Sequence, residues 1–305
     1  MTTWSLSQRT SRLTCGSRSE TNCSTHGACL HSEPTTPKII ARCKSFSAKV
    51  KSLRVLFFLL LFVCANHART FAQAADFNAL VLKNVSEMPT GGHYSTARVA
   101  TIALQSSTHF EQGKFFVLPP PNSPSFCSGA TYLVFLKTIE ELRREGELTL
   151  DTETLLALMI RDGQRDGEGI WGRWNANGPG TARLFYELGI GRNFTDFAQA
   201  KPGDFMKIFW NNEVGKTEHG HSVIYLGSGA GADGVEYVRF WSSNVPAGFG
   251  EKTVPRTKIA QAIFSRLEHP ENLARIKTAP SLDSYLASLT SVRSSFAEAK
   301  TKCGM

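Results

Sequence analysis

Two side chains of complementary chemistry stand at places that suit them: Cys127, at the end of a proline-rich approach, and His221, at the start of an apolar run. A reactive thiol needs a lowered pKa, and a helix N-terminus favours the thiolate through its free N–H groups and dipole. Pro119-Pro120-Pro121-Asn122-Ser123-Pro124 forces an irregular approach to Cys127. From Ser128 the pattern turns helical, with Tyr132, Phe135, Leu136, Ile139 and Leu142 at 3.6-residue spacing. The same N–H groups offer an oxyanion hole to a tetrahedral intermediate. The plainer reading of Cys127 is a small buried cysteine at a helix start.

The base for such a thiol should lie on a strand packed against that helix. Gly220-His221-Ser222-Val223-Ile224-Tyr225-Leu226-Gly227 supplies one, with His221, Val223 and Tyr225 on one face and Ser222, Ile224 and Leu226 on the other. A third group should fix the imidazole's tautomer and orientation. On the next strand Val238, Phe240, Ser242 and Asn244 alternate onto one face, which makes Asn244 the preferred orienting residue, with Ser242 or a backbone carbonyl as rivals. A structural histidine and an ordinary Ser-Ser-Asn turn are the alternatives to these roles.

The elements that must position these residues follow from the local patterns. Residues 76–92 read as an extended arm ending in Pro89-Thr90-Gly91-Gly92, and Ser95 as the cap of a helix through Leu104. Residues 115–118 read as a strand, 152–161 as a second helix, 162–180 as a Gly/Trp/Asn-rich loop and 181–188 as a short helix. Strands are expected at 204–210, 221–226 and 235–242, the last two joined as a hairpin through 227–234. Helices are expected at 256–267 and 271–276, followed by a Ser-rich tail. Helices first and an antiparallel sheet afterwards make an α+β domain.

Cys127-Ser128-Gly129-Ala130 resembles the Cys-Ser-Gly nucleophile signature of the NlpC/P60 cell-wall peptidases. Pro202-Gly203-Asp204-Phe205-Met206-Lys207-Ile208-Phe209 is similar to that family's Pro-Gly-Asp strand opening. The strand from Gly220 to Gly227 resembles its Gly-His-x-x-Ile-Tyr-x-Gly strand. The three occur in the family's unpermuted order over roughly residues 120–245. The resemblance implies a papain-like fold, a nucleophile helix packed on an antiparallel sheet, and hydrolysis of amide bonds in peptidoglycan stem peptides through a Cys127 thioester. The sequence departs from the family in three ways. Phe126 precedes the nucleophile where the family shows Asp, and residues 138–180 lengthen the interval between Cys127 and His221. Ser242/Asn244 at the third position is closer to the related CHAP-type amidases.

Trp171, Trp174 and Asn175 are candidates for the wall of a peptide cleft, with burial of the tryptophans in the core as the equal alternative. Tyr94 is a candidate hydroxyl on the oxyanion side. No cofactor or metal is indicated. Asp162-Gly163-Gln164-Arg165-Asp166-Gly167 opens like a calcium loop, but Arg173 stands where the bidentate Glu is required. His219 and His221 lack a third zinc ligand.

A basic stretch from Lys51, an apolar run from Val55 to Ala65 and Ala72-Gln73-Ala74 read as a secretory leader over 50–74. The run is too short to span a bilayer, which takes roughly 20 residues. Residues 1–49 read as a mis-assigned extension, with Val50 as an alternative start. Residues 75–280 then form the hydrolase domain and 281–305 the tail. The chain's net charge is +8, but the part after 74 carries 24 basic and 24 acidic side chains. It therefore has no excess to attract nucleic acid or an anionic membrane surface. The expected product is a secreted or periplasmic enzyme acting on peptidoglycan or peptide, without stable membrane insertion once the leader is removed. Two alternatives remain: a secreted non-catalytic binding module with Cys127 tied to Cys303, or a same-fold amidase or protease with another substrate.

Overall fold

The computed structural model describes residues 77–305. The expected leader and the segment before it lie outside the described residues. The architecture is α+β with an antiparallel sheet. Helices α1 (Phe77–Ser86), α2 (Arg98–Ser106), α3 (Cys127–Arg144), α4 (Thr152–Ala157), α5 (Gly169–Asn175) and α6 (Gly180–Leu188) precede most of it. The main sheet has six strands, β5 (Gly191–Phe194), β6 (Phe205–Phe209), β8 (Gly220–Ala230), β9 (Glu236–Asn244), β10 (Gly248–Pro255) and β11 (Gln261–Leu267). Their order is β10-β9-β8-β6-β11-β5 and every neighbouring pair is antiparallel. Short pairs complete the fold: β1 (His93–Tyr94) with β4 (Pro124–Ser125), β2 (Thr108–Glu111) with β3 (Lys114–Val117), and β7 (Val214–Gly215) with β12 (Arg293–Ser294). Helices α7 (Ser284–Ser288) and α8 (Phe296–Lys302) close the chain.

Strand alternation divides the apolar residues between two layers. Phe205, Ile224 and Trp241 join the cluster that holds α3, through Tyr132, Leu133, Phe135 and Leu136. Met206, Val223, Tyr225, Val238, Phe240 and Phe264 form a second core on the other face of the sheet. Helix α3 thus packs on the Ser222–Ile224–Leu226 side of β8, and His221 belongs to the opposite side. No helix among the described residues is long and apolar enough to cross a membrane.

Several expectations are corrected. Residues 77–86 are helical rather than extended, because Asn78 and Asn84, polar in the sequence, face inward. Asn78 donates to Pro202 O (3.0 Å) and Asp204 Oδ1 (2.8 Å), and Asn84 to Glu141 Oε2 (3.0 Å). Helix α2 starts at Arg98, and Ser95 caps only a turn before it, accepting from Ala97 N at 3.2 Å. Residues 261–267 are a strand. Ile259, Ala262, Ile263 and Leu267 mimic helical spacing only because β11 is buried on both faces. The Ser-rich tail is packed: Asp283 caps α7, Ser295 caps α8, and Cys303 is buried with Ala182, Phe209, Val214 and Ile263.

The span 162–180 contains α5 and the first residue of α6 rather than a loop alone. Gly172 lies so close to Arg165 that a Cβ would come 2.2 Å from its carbonyl oxygen. Trp171 and Trp174 are in the core and do not line a cleft, 4% and 1% exposed. Trp174 lies 4.8 Å from Phe135 and 5.2 Å from Phe205, ring centre to ring centre. Its Nε1 donates to Ser128 O and Thr131 Oγ1, both at 3.2 Å. It therefore holds the first turn of α3 from beneath. Trp174→Ala should lower stability by about 3–5 kcal/mol, as truncations of buried aromatics do. Urea unfolding checks this; a loss below about 1 kcal/mol would contradict the packing role.

Candidate active site

Cys127 is the first residue of α3, and Phe126, in extended conformation (φ −138°, ψ 163°), precedes it without a side-chain cap. The first N–H groups of a helix have no intrahelical acceptor, so those of Cys127 and Ser128 are free to meet a substrate oxygen. The half-buried thiol lies beside the His221 side chain and the Ser222 N–H, both of which favour its thiolate. Burial opposes its ionisation, but the hydrogen bond and charge of His221, the Ser222 N–H and the Lys207 ammonium outweigh that. Together they bring the thiol down to about 6. Cys303 is the reverse case: burial pushes it up to about 12. Among the described residues both cysteines are free, so no Cys127–Cys303 disulfide forms.

The imidazole is fixed from behind. Its Nε2 lies 3.2 Å from Asn244 Oδ1. The Asn244 amide cannot turn over without loss, because its Nδ2 donates to Gly250 O (2.8 Å) and Ser242 O (3.3 Å). Oδ1 must then accept, which places the proton on Nε2 and leaves Nδ1 for the thiol. Trp210 stacks on the same ring, 6.1 Å between centres. Ser242 does not reach the imidazole. Its Oγ donates to Ser222 O at 2.7 Å, tying β9 to β8 beside the N–H that meets the sulfur. Of the two candidates, Asn244 therefore has the orienting position and Ser242 a supporting one.

Tyr94 reaches the thiol by an indirect route. Strand β1 runs parallel to β4, immediately before Cys127, and Tyr94 N donates to Pro246 O at 3.0 Å. Close packing needs Gly248 here, since a Cβ would stand 2.4 Å from Gly91 O. Burial, the neighbouring thiolate and their hydrogen bond push Tyr94 up to about 12, so its hydroxyl stays protonated as a donor.

A cleft of about 400 Å³ opens over the thiol, lined among others by Tyr94, Thr96, Asp166, Asn175, Lys207 and Ser222. Asn175 Oδ1 accepts from Ser128 Oγ at 2.6 Å, so this candidate does stand at the cleft. Lys207, Glu218 and Asp166 were not evident from the sequence. Lys207 Nζ donates to Glu218 Oε1 at 2.8 Å, and Glu218 Oε2 accepts from Gly178 N (2.6 Å) and Gly215 N (2.8 Å). The pair crosses directly over Gly220, where a Cβ would come 2.5 Å from Lys207 Nζ. The one sequence signal for Lys207 is a charge standing between Phe205 and Phe209 on the same face of β6. For Trp210 it is an aromatic closing the same strand.

Compared with models of known families, with curated proteins and with solved structures, the chain has no match.

Proposed function

We propose that the protein is an exported cysteine hydrolase of amide bonds, of papain-like NlpC/P60 type, acting on peptidoglycan stem peptides. The observation that carries this reading is the chain of contacts from the Cys127 thiol through His221 to Asn244 Oδ1, 3.2 Å from Nε2. An inert structural cysteine has no need of an oriented imidazole. The sequence motifs around Cys127, Asp204 and His221 support the substrate class.

The Cys127 thiolate attacks the carbonyl carbon, and an S–C bond forms. The oxygen takes up negative charge between the free N–H groups of the α3 terminus and the Tyr94 hydroxyl. His221, carrying the proton taken from the thiol, gives it to the leaving nitrogen as the C–N bond breaks. Water then attacks the thioester, losing a proton to His221, and the acid and the thiol are regenerated. Asn244 keeps the ring in the plane these transfers need, while Trp210 covers one of its faces.

Incubation of the protein lacking residues 1–74 with purified sacculi should release soluble peptide fragments with new amino termini, identified by mass spectrometry. Intact sacculi with hydrolysis of other amides would move the protein to the same-fold amidase alternative.

A further inference from the structure

The groove at the site has two halves that meet at Tyr94 and Gly220. One is the cleft already described, which touches Cys127 and not His221. The other is a pocket of about 220 Å³ lined by Tyr94, Trp210, His221, Asn244, Val245 and Lys252, which touches His221 and not Cys127. This division has a direction in the chemistry. The carbonyl carbon bonds to sulfur, whereas the leaving nitrogen takes its proton from the imidazole. A substrate crossing at Tyr94–Gly220 therefore lays its acyl part over the first half and its leaving amine in the second.

The charges of the two halves differ. On the acyl side the ammonium of Lys207 is already taken by Glu218, and Asp166 adds a further carboxylate. No positive charge is spare there. On the leaving side Lys252 is the charged residue lining the pocket, and it makes no ion pair among the described residues. Its neighbour Glu251 does not neutralise it. Lys252 is paired with Phe240 across β10–β9 and lies on the His221 side of the sheet. Glu251 is paired with Trp241, on the other side, and reaches Arg239 at 4.0 Å. The pocket thus combines an aromatic wall, Trp210, with one unneutralised ammonium, in a volume below that of a typical drug-sized site.

We propose that this pocket is the leaving-fragment subsite and that Lys252 selects short leaving amines bearing a free carboxylate, such as a terminal amino-acid residue. The inference rests on the hydrolase reading above. A charge-assisted contact at an exposed lysine favours a carboxylate over a neutral isostere by about two- to fivefold.

The test compares two forms of one stem tripeptide, with a free terminal carboxylate or with a terminal carboxamide, on wild type, Lys252→Gln and Lys252→Arg. The expected kcat/KM ratio of carboxylate to carboxamide is about two to five in wild type. It should fall to near one in Lys252→Gln, be retained in Lys252→Arg, and shrink with added salt. Using the ratio cancels any loss of folded protein. If neither peptide is hydrolysed, the hydrolase reading fails for this substrate. The subsite is then read from protection of the Cys127 thiol against iodoacetamide by the same two peptides. Stronger protection by the carboxylate, lost in Lys252→Gln, supports it. Equal ratios in wild type and Lys252→Gln, equal protection by the two peptides, or no protection at millimolar concentration overturns it.

Discussion

Cys127 should react with iodoacetamide at pH 6 about twentyfold to thirtyfold faster than an unperturbed cysteine, and Cys127→Ser should fold normally yet lose at least about 10⁴-fold of its amide hydrolysis. The alkylation figure combines two opposing effects. A thiol lowered to about 6 is half thiolate at that pH. An ordinary thiol near 9 is only about 0.1% ionised, so the reactive form gains roughly 500-fold. Nucleophilicity falls with the pKa, at about 0.4–0.5 log unit per unit, which returns roughly twentyfold. Cys303, pushed up to about 12 and buried, serves as the internal control and should stay unmodified. The serine variant removes only the sulfur, at a half-buried position where an oxygen fits. Its hydroxyl is too weak an acid for His221 to ionise in the ground state. Site-resolved alkylation against pH, thermal melting and turnover together measure all of this. Equal alkylation of Cys127 and Cys303 between pH 5 and 9, with undiminished hydrolysis by Cys127→Ser, would sink the assignment.

His221→Ala should reduce kcat/KM by about 10²–10⁴-fold and raise the pH at which Cys127 becomes reactive. The direction can be worked out from the site. His221 supplies both the hydrogen bond and the main charge that favour the thiolate, while burial opposes it. With the imidazole removed, burial is left against the Ser222 N–H and Lys207 alone. The alkylation midpoint should therefore climb from about 6 at least to the ordinary thiol range. Imidazole added to the solution should restore part of the activity, because the vacated space opens on the pocket beside Trp210. A loss of less than tenfold, or an unchanged alkylation midpoint, removes His221 from the mechanism. Circular dichroism separates that outcome from simple unfolding.

Local sequence placed the candidate site residues well and the rest of the architecture less evenly. The proline-rich approach and the apolar spacing after it placed Cys127 at the start of a helix, because both signals act within a few residues. Strand alternation likewise put His221 apart from Ser222 and placed Ser242 and Asn244 in line on the next strand. The same alternation did not tell which face α3 would cover. It covers the Ser222 face, so the thiol meets a backbone N–H from that side and the imidazole at the strand's start. Helix α1 and strand β11 were misread for one reason. Buried asparagines look like surface, and a strand covered on both faces looks like a helix, when the covering partner lies far off in the chain.

What the sequence determined by itself was the placement of Cys127 at a helix start, of His221 at the start of a strand, and of Ser242 and Asn244 in line on the next, since each is set by residue type and local periodicity. Tertiary structure decided between Asn244 and Ser242, through carbonyls of Gly250 and Ser222 that only folding brings within 3 Å. It moved Trp171 and Trp174 from the cleft into the core, where burial of large rings stabilises more than exposure at a rim. It also gathered Tyr94, Lys207, Glu218 and Lys252 around the groove from separate strands and one loop. Side chains so far apart in the chain meet only when the sheet and α3 are packed, and no periodicity along the sequence encodes that meeting.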